Sequence, residues 1–179
     1  MDKKKLLILM VLLLSPYTGA LAQMLAFNIE APPELNVTVI SDGTLDYGNL
    51  FQNQGLVQIL LNDPGTEVIS IEGEFNKDVT VTITPPAALQ LDPSNTLPYT
   101  LGAAYANDGE DNKGQATEFT GNTATFRIKE GGGGPPPGRG GGGGTPTATA
   151  YLYVYGDINV GNVNAGTYSG IINIFVEYD

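Results

Sequence analysis

The chain has 179 residues, with 8 basic side chains, 19 acidic side chains, no His and no Cys. Because nucleic acids are bound by basic side chains that displace counterions, the net charge of −11 argues against a nucleic-acid-binding protein. The chain also lacks the commonest general base and the thiol nucleophile, and its carboxylates are scattered over turns and polar strand faces. We therefore predict no enzyme and no cofactor.

The first 22 residues have the three parts of a secretory signal peptide. Lys3–Lys5 give a positive start, Leu6–Leu14 is an apolar run, and Ala20 and Ala22 suit signal peptidase. The apolar run of nine residues is shorter than the roughly 20 that span a bilayer. We expect export, cleavage before Gln23, and a secreted or cell-surface protein without a membrane span.

Residues 23–34 form a candidate amino-terminal arm. Pro32 and Pro33 interrupt a strand-like alternation whose apolar members are Leu25, Phe27 and Ile29. Two interpretations are open: the segment is a kinked first strand of its own domain, or it adds as a strand to another molecule. In the second, its apolar side chains fill a groove of the neighbour, and the prolines turn it away from its own domain.

The rest of the chain, residues 35–179, is predicted to be all-β. Six segments are short, rich in β-branched and aromatic residues, and separated by Gly, Pro and Asp turns: 35–40, 56–61, 67–73, 78–84, 123–129 and 147–155. The first of these contains a glycosylation sequon, Asn36-Val37-Thr38. Short strands at this spacing predict an immunoglobulin-like β-sandwich of about seven to nine strands.

An acidic turn follows the fourth of these segments. Its oxygen-bearing side chains alternate at Asp108, Glu110 and Asn112, a set that could suit Ca²⁺. The glycine lies one place late for an EF-hand loop and no bidentate Glu follows, so an exposed acidic turn without metal is the favoured interpretation.

Residues 131–144 contain ten Gly, three Pro and one Arg. The segment is no phosphate-binding loop, because it lacks the Gly-Lys-Ser/Thr ending and a following helix. We predict a flexible hairpin loop inserted in the domain, and the alternative is a polyproline-like segment that packs against neighbouring molecules.

The strand after this insertion carries a tyrosine stripe, Tyr151, Tyr153 and Tyr155, on the face opposite to Leu152 and Val154. Three exposed rings on one strand face would form a platform for a ligand such as a carbohydrate. The other interpretation is that the rings pack beneath a loop.

The carboxyl-terminal stretch from Gly166 to Asp179 alternates up to the penultimate residue. Its apolar face consists of Ile172, Ile174, Val176 and Tyr178. This ending resembles that of chaperone–usher fimbrial subunits, which have a glycine at the place of Gly166, alternating apolar residues and a penultimate tyrosine. The chain is also similar to secreted Gram-negative β-sandwich domains related to the spore-coat-U-like group. Residues 45–50 resemble their early turn, 69–83 their central hairpin and 158–170 their closing hairpin.

The fimbrial resemblance implies a specific mode of assembly. The final strand borders an open groove, which a periplasmic chaperone covers first and the arm of the next subunit fills later. An outer-membrane assembly protein would be a further partner. The chain differs from common fimbrial subunits in having no disulfide and in its Gly/Pro insertion.

We therefore expect a structural subunit of an extracellular filament or surface layer. It would polymerise with copies of itself by β-strand addition, using Leu25, Phe27 and Ile29 of one subunit and the apolar face of the final strand of the next. The alternative is a secreted carbohydrate-binding or adhesive module that uses the tyrosine stripe.

Overall fold

The computed structural model describes residues 21–129 and 146–179, and in this part of the chain it contains twelve β-strands, one 3-10 turn and no α-helix. The expected all-β class is confirmed. The expected signal peptide, apart from its last two residues, and the whole 131–144 segment lie outside the described residues. The strands are Leu21–Glu30 (β1), Asn36–Val39 (β2), Thr44–Leu50 (β3), Gly55–Ile59 (β4), Glu67–Glu74 (β5), Asp78–Thr84 (β6), Ala88–Asp92 (β7), Asn95–Ala106 (β8), Thr117–Glu118 (β9), Thr123–Arg127 (β10), Thr147–Val160 (β11) and Thr167–Tyr178 (β12).

The strands form one curled sheet, in which eight follow the order β10-β6-β12-β7-β8-β11-β5-β2. Of the other four, β1 pairs with β12 and β3, β4 pairs with β11, and β9 pairs with β8. The long strand β8 joins its two halves, because residues 95–98 pair with β7 whereas 99–106 pair with β11. Sequence reasoning missed β7 and β8, since Pro98 and Gly102 within β8 are residues that usually end strands. The immunoglobulin-like sandwich stays a prediction, and the described residues form twelve strands rather than the expected seven to nine.

Both halves of the sheet contribute to the main hydrophobic core. Ile83 and Ile174 come from one half and Leu152 and Val154 from the other, and all four are buried in the same cluster. The alternation that the sequence showed in β6 matches its burial, in which every second side chain faces inward. The long strands are therefore held by their apolar faces.

The two expected hairpins are wrong. β5 pairs with β11 and β2, whereas β6 pairs with β10 and β12, so residues 69–83 cross from one half of the sheet to the other. Residues 158–170 likewise connect β11 with β12, which share no pairing among the described residues. The strands that flank the 131–144 segment, β10 and β11, also share no pairing among the described residues. Crossing the core lets successive strands point their apolar faces at each other.

Residues 45–50 are also no turn but the body of β3. The pairing of β3 with β1 shifts by one residue between Gln23 and Met24, which leaves Tyr47 as the extra residue of a bulge. Gly48 follows with φ of 70°, a conformation that glycine adopts at little cost. The bulge bends β3 and sends the Tyr47 ring into the core.

Candidate functional site

The amino-terminal strand β1 lies between β3 and β12 of its own chain. It runs parallel to β12, from Ala22 opposite Thr167 to Glu30 opposite Phe175, and antiparallel to β3. Within the described residues β3 has no other strand partner, so β1 alone connects it to the sheet. The structure therefore agrees with the first of the two interpretations, in which this segment is the first strand of its own domain.

The inner face of β1 is the one that the alternation predicted. Leu25 is fully buried, and Phe27 and Ile29 are half-buried against the same core. Sequence reasoning missed Gln23, which is also fully buried, because a polar residue gives no signal of an inward position. The four side chains share one face because strand side chains alternate with period two.

The expectation that Pro32 and Pro33 turn this segment away from its own domain is wrong. The Leu35 N–H donates to the Pro32 carbonyl over 3.0 Å, which closes a tight turn. Leu35 is then buried at the start of the connection to β2. The prolines thus direct the chain back across the core.

The predicted groove edge on β12 faces inward. Ile172, Ile174 and Val176 are buried, and Tyr178 is half-buried against the core. The Tyr178 hydroxyl accepts from the Glu74 N–H at 2.8 Å and donates to the Glu34 carbonyl at 3.4 Å. The penultimate tyrosine therefore ties β5 to the link that follows β1.

Gly166 lies where the chain enters β12. A Cβ atom at this position would lie 2.7 Å from Leu91 Cδ1, and the residue has a φ of 159°. Its carbonyl accepts from the Ala22 N–H at 3.3 Å. The glycine thus lets β12 start beside β1 without a clash with Leu91.

The tyrosine stripe does not form an exposed platform. Tyr153 is fully buried in a second cluster with Val68, Ala104 and Ala106, while Tyr151 and Tyr155 are half-buried beside it. The Tyr153 hydroxyl donates to Asp111 Oδ1 at 2.8 Å. Burial, followed by this hydrogen bond to Asp111, raises the pKa of Tyr153. The structure therefore agrees with the second interpretation, in which the rings pack beneath a loop.

The candidate calcium ligands belong to that covering loop. The Asn112 side chain accepts from the Gly114 N–H at 3.1 Å and begins the 3-10 turn Lys113–Gln115, and Asp108 accepts from the Glu110 N–H at 3.4 Å. Within residues 21–129 and 146–179, no three His, Cys, Asp or Glu side chains converge as metal ligands would. These residues shape a turn.

The outer surface of strands β1, β12 and β6 carries a group of residues to which the sequence analysis assigned no role. Phe175 is 43% exposed there, opposite Glu30 on β1 and Thr82 on β6. Two residues before Phe175 on β12, Asn173 lies opposite Asn28 of β1. The Asn28 side-chain amide donates to Asn173 Oδ1 at 3.0 Å. We call these five residues the Phe175 face. The sequence signal that could have indicated this group is the aromatic Phe175 at an outward-facing position of β12.

No family model matches the chain, and a search of curated proteins found no relative. Across the described ranges, no helix is long and apolar enough to cross a bilayer.

Proposed function

We propose that the protein is a structural subunit of an extracellular filament or surface layer in which copies exchange β1. In this proposal the β1 strand of one copy lies between β3 and β12 of its neighbour. The observation that carries it is the position of β1, a chain-terminal strand of the described part, inserted between two strands that do not pair with each other. Terminal strands of this kind are the usual elements of strand addition and domain swapping.

The energetics permit such an exchange. Full burial of a side chain such as Leu25 contributes about 1.5–3 kcal/mol, and the hydrogen bonds to β3 and β12 add to it. A neighbour's β1 would make the same contacts as the chain's own strand, so only the link at residues 31–35 distinguishes the two states. Exchange therefore costs little once the link straightens, and a high local concentration of subunits favours it.

Removal of β1 would leave hydrogen-bonding edges on both β3 and β12. Unpaired edges of this kind associate with other strands, and the buried face of β12 would meet water. A subunit caught between release of its own strand and capture of another needs protection. This need fits the periplasmic chaperone and the outer-membrane assembly protein that the fimbrial resemblance implies.

The test compares two aspartate substitutions on β1 that differ only in the face they affect. Leu25→Asp places a charge in the core, whereas Ala26→Asp, at an exposed position opposite the uncharged Thr44 and Ile171, places one on the outer surface. We expect Leu25→Asp to abolish filaments or surface layers seen by negative-stain microscopy, and Ala26→Asp to leave them. Addition of a synthetic peptide of residues 23–34 should restore the thermal stability of the Leu25→Asp protein by occupying the empty groove.

Two results would overturn the proposal. One is that wild-type protein at high concentration stays monomeric and forms no filament or layer. The other is that filaments persist when a disulfide engineered between β1 and β12 of one chain prevents the strand from leaving. The alternative of a carbohydrate-binding tyrosine platform is no longer supported, because Tyr153 is fully buried.

A further inference from the structure

The Phe175 face is an open surface on which polar side chains surround one aromatic ring. Asn28, Glu30 and Asn173 are exposed, and Thr82 is partly exposed beside the Phe175 ring. Neighbouring strands are about 4.8 Å apart and alternate residues of one strand about 6.8 Å apart, so the five side chains surround one shallow area. An aromatic ring flanked by amide, hydroxyl and carboxylate groups combines an apolar surface with hydrogen-bond donors and acceptors.

Some hydrogen-bonding groups of this face remain available to a ligand. The Asn28–Asn173 bond uses one amide donor and one carbonyl acceptor, which leaves Asn28 Oδ1 as an acceptor and Asn173 Nδ2 as a donor. Glu30 adds a carboxylate acceptor directly across from the ring. A ligand that matches them must both donate and accept at closely spaced positions, as vicinal hydroxyl groups do.

Charge further restricts the ligand. Glu30 belongs to the face, and Glu177 follows Phe175 on the same outward side of β12. Arg127, on the next strand but one, is paired with Asp78 through bonds of 2.7 and 2.8 Å. The face therefore repels phosphate, sulfate and carboxylate groups, and it equally disfavours a second copy of this acidic chain.

We propose that the Phe175 face binds a neutral glycan, with one sugar ring stacked on Phe175 and its hydroxyl groups bonded to Asn28, Asn173 and Glu30. The apolar C–H side of a sugar covers the aromatic ring, while its hydroxyl groups satisfy the surrounding polar atoms. Because the surface is open, the ligand is an extended chain that passes across it. This site is separate from the tyrosine stripe, which lies on the other half of the sheet.

The site does not depend on the exchange of β1. Asn28 and Glu30 lie on β1 and the ring lies on β12, so an exchanged strand would complete the same face with residues from a neighbour. A folded monomer presents it equally.

The experiment uses the folded protein on an array that carries neutral, sialylated and sulfated glycans. We expect binding to neutral glycans only, and a loss of about tenfold or more in Phe175→Ala, as for a central aromatic contact. Phe175→Tyr, which keeps the ring, should retain binding. Ile171→Ala is the matched control, because it shortens another exposed apolar residue of the outer β12 surface at 57% exposure. It should bind as the wild type does.

Circular dichroism and thermal unfolding of each variant establish that the fold is retained, as expected for exposed positions. The proposal is overturned if no neutral glycan binds, if the sialylated or sulfated glycans bind in preference, or if Phe175→Ala binds as well as wild type. Loss of self-association in Phe175→Ala, without any glycan binding, would assign the face to a protein contact instead.

Discussion

The buried carboxyl group of Glu67 makes a pH-dependent stability testable. Only 2% of Glu67 is exposed, and its Oε1 accepts from the Gly43 N–H at 3.2 Å in the turn that leads into β3. Burial raises the pKa of Glu67 from 4.5 to about 7, with Asp42 adding repulsion and the Gly43 bond opposing the rise. The protonated form is thus the one that the fold prefers.

The sign and size of the effect follow from the two pKa values. Because the folded pKa lies above the unfolded one, this stabilisation is complete below about pH 4.5 and is lost as the pH rises through about 7. At about 1.4 kcal/mol per pKa unit the full difference is about 3.5 kcal/mol, and water close to the turn reduces it, so we expect about 1–3 kcal/mol.

The assay is urea unfolding of the wild type and of Glu67→Gln between pH 4.5 and 8. The neutral amide keeps an acceptor for Gly43 and removes the charge, so the variant should lose this decline and exceed the wild type in stability at pH 8. Glu72→Gln is the control, since Glu72 is an exposed carboxylate of the same strand. Asp42→Asn should shift the decline to lower pH. An unchanged decline in Glu67→Gln would refute the reasoning.

Two further predictions concern the core and the insertion. The Tyr47 hydroxyl is buried without a hydrogen-bond partner among the described residues, whereas the Tyr99 hydroxyl donates to the Tyr155 carbonyl at 3.1 Å. Urea unfolding should therefore show Tyr47→Phe to be neutral or stabilising by about 1 kcal/mol and Tyr99→Phe to be destabilising by about 1 kcal/mol, and the opposite order would contradict this account. Replacement of residues 131–144 by a short Gly/Ser linker should leave the thermal stability nearly unchanged, because Ile128 and Pro146 are both anchored on the turn between β5 and β6. Loss of the folded protein on shortening would assign that segment a structural role.

Local alternation predicted which face of a strand is inward, and it was correct where one face is apolar. Leu25, Ile172 and Ile174 were placed in this way, because a period of two needs no knowledge of the partner strand. The partners themselves could not be predicted. The hairpins expected for residues 69–83 and 158–170 are absent because successive strands cross the core, and nothing in a short turn specifies whether the chain pairs or crosses.

The sequence also could not predict whether the second face of a strand is covered by another part of the chain. The alternation correctly separates Tyr153 from Leu152, but both faces of β11 are buried, one in the main core and the other beneath the loop that carries Asp111. Phe175 is the opposite case, an aromatic residue whose face no other strand covers among the described residues. Whether an aromatic side chain is packed or presented depends on loops distant in sequence, so local patterns do not decide it.

The two proposals meet in β1, whose two faces have different chemistry. Its inner face, with Leu25 fully buried, secures the strand between β3 and β12, while its outer face supplies Asn28 and Glu30 beside Phe175. Because alternate residues of a strand point to opposite sides, substitutions on one face leave the other in place. Strand exchange would therefore transfer the outer residues together with the inner ones, and each junction of an assembled filament would present one complete Phe175 face. A filament of such junctions would repeat the glycan contact along its length, so that weak single contacts add to strong attachment.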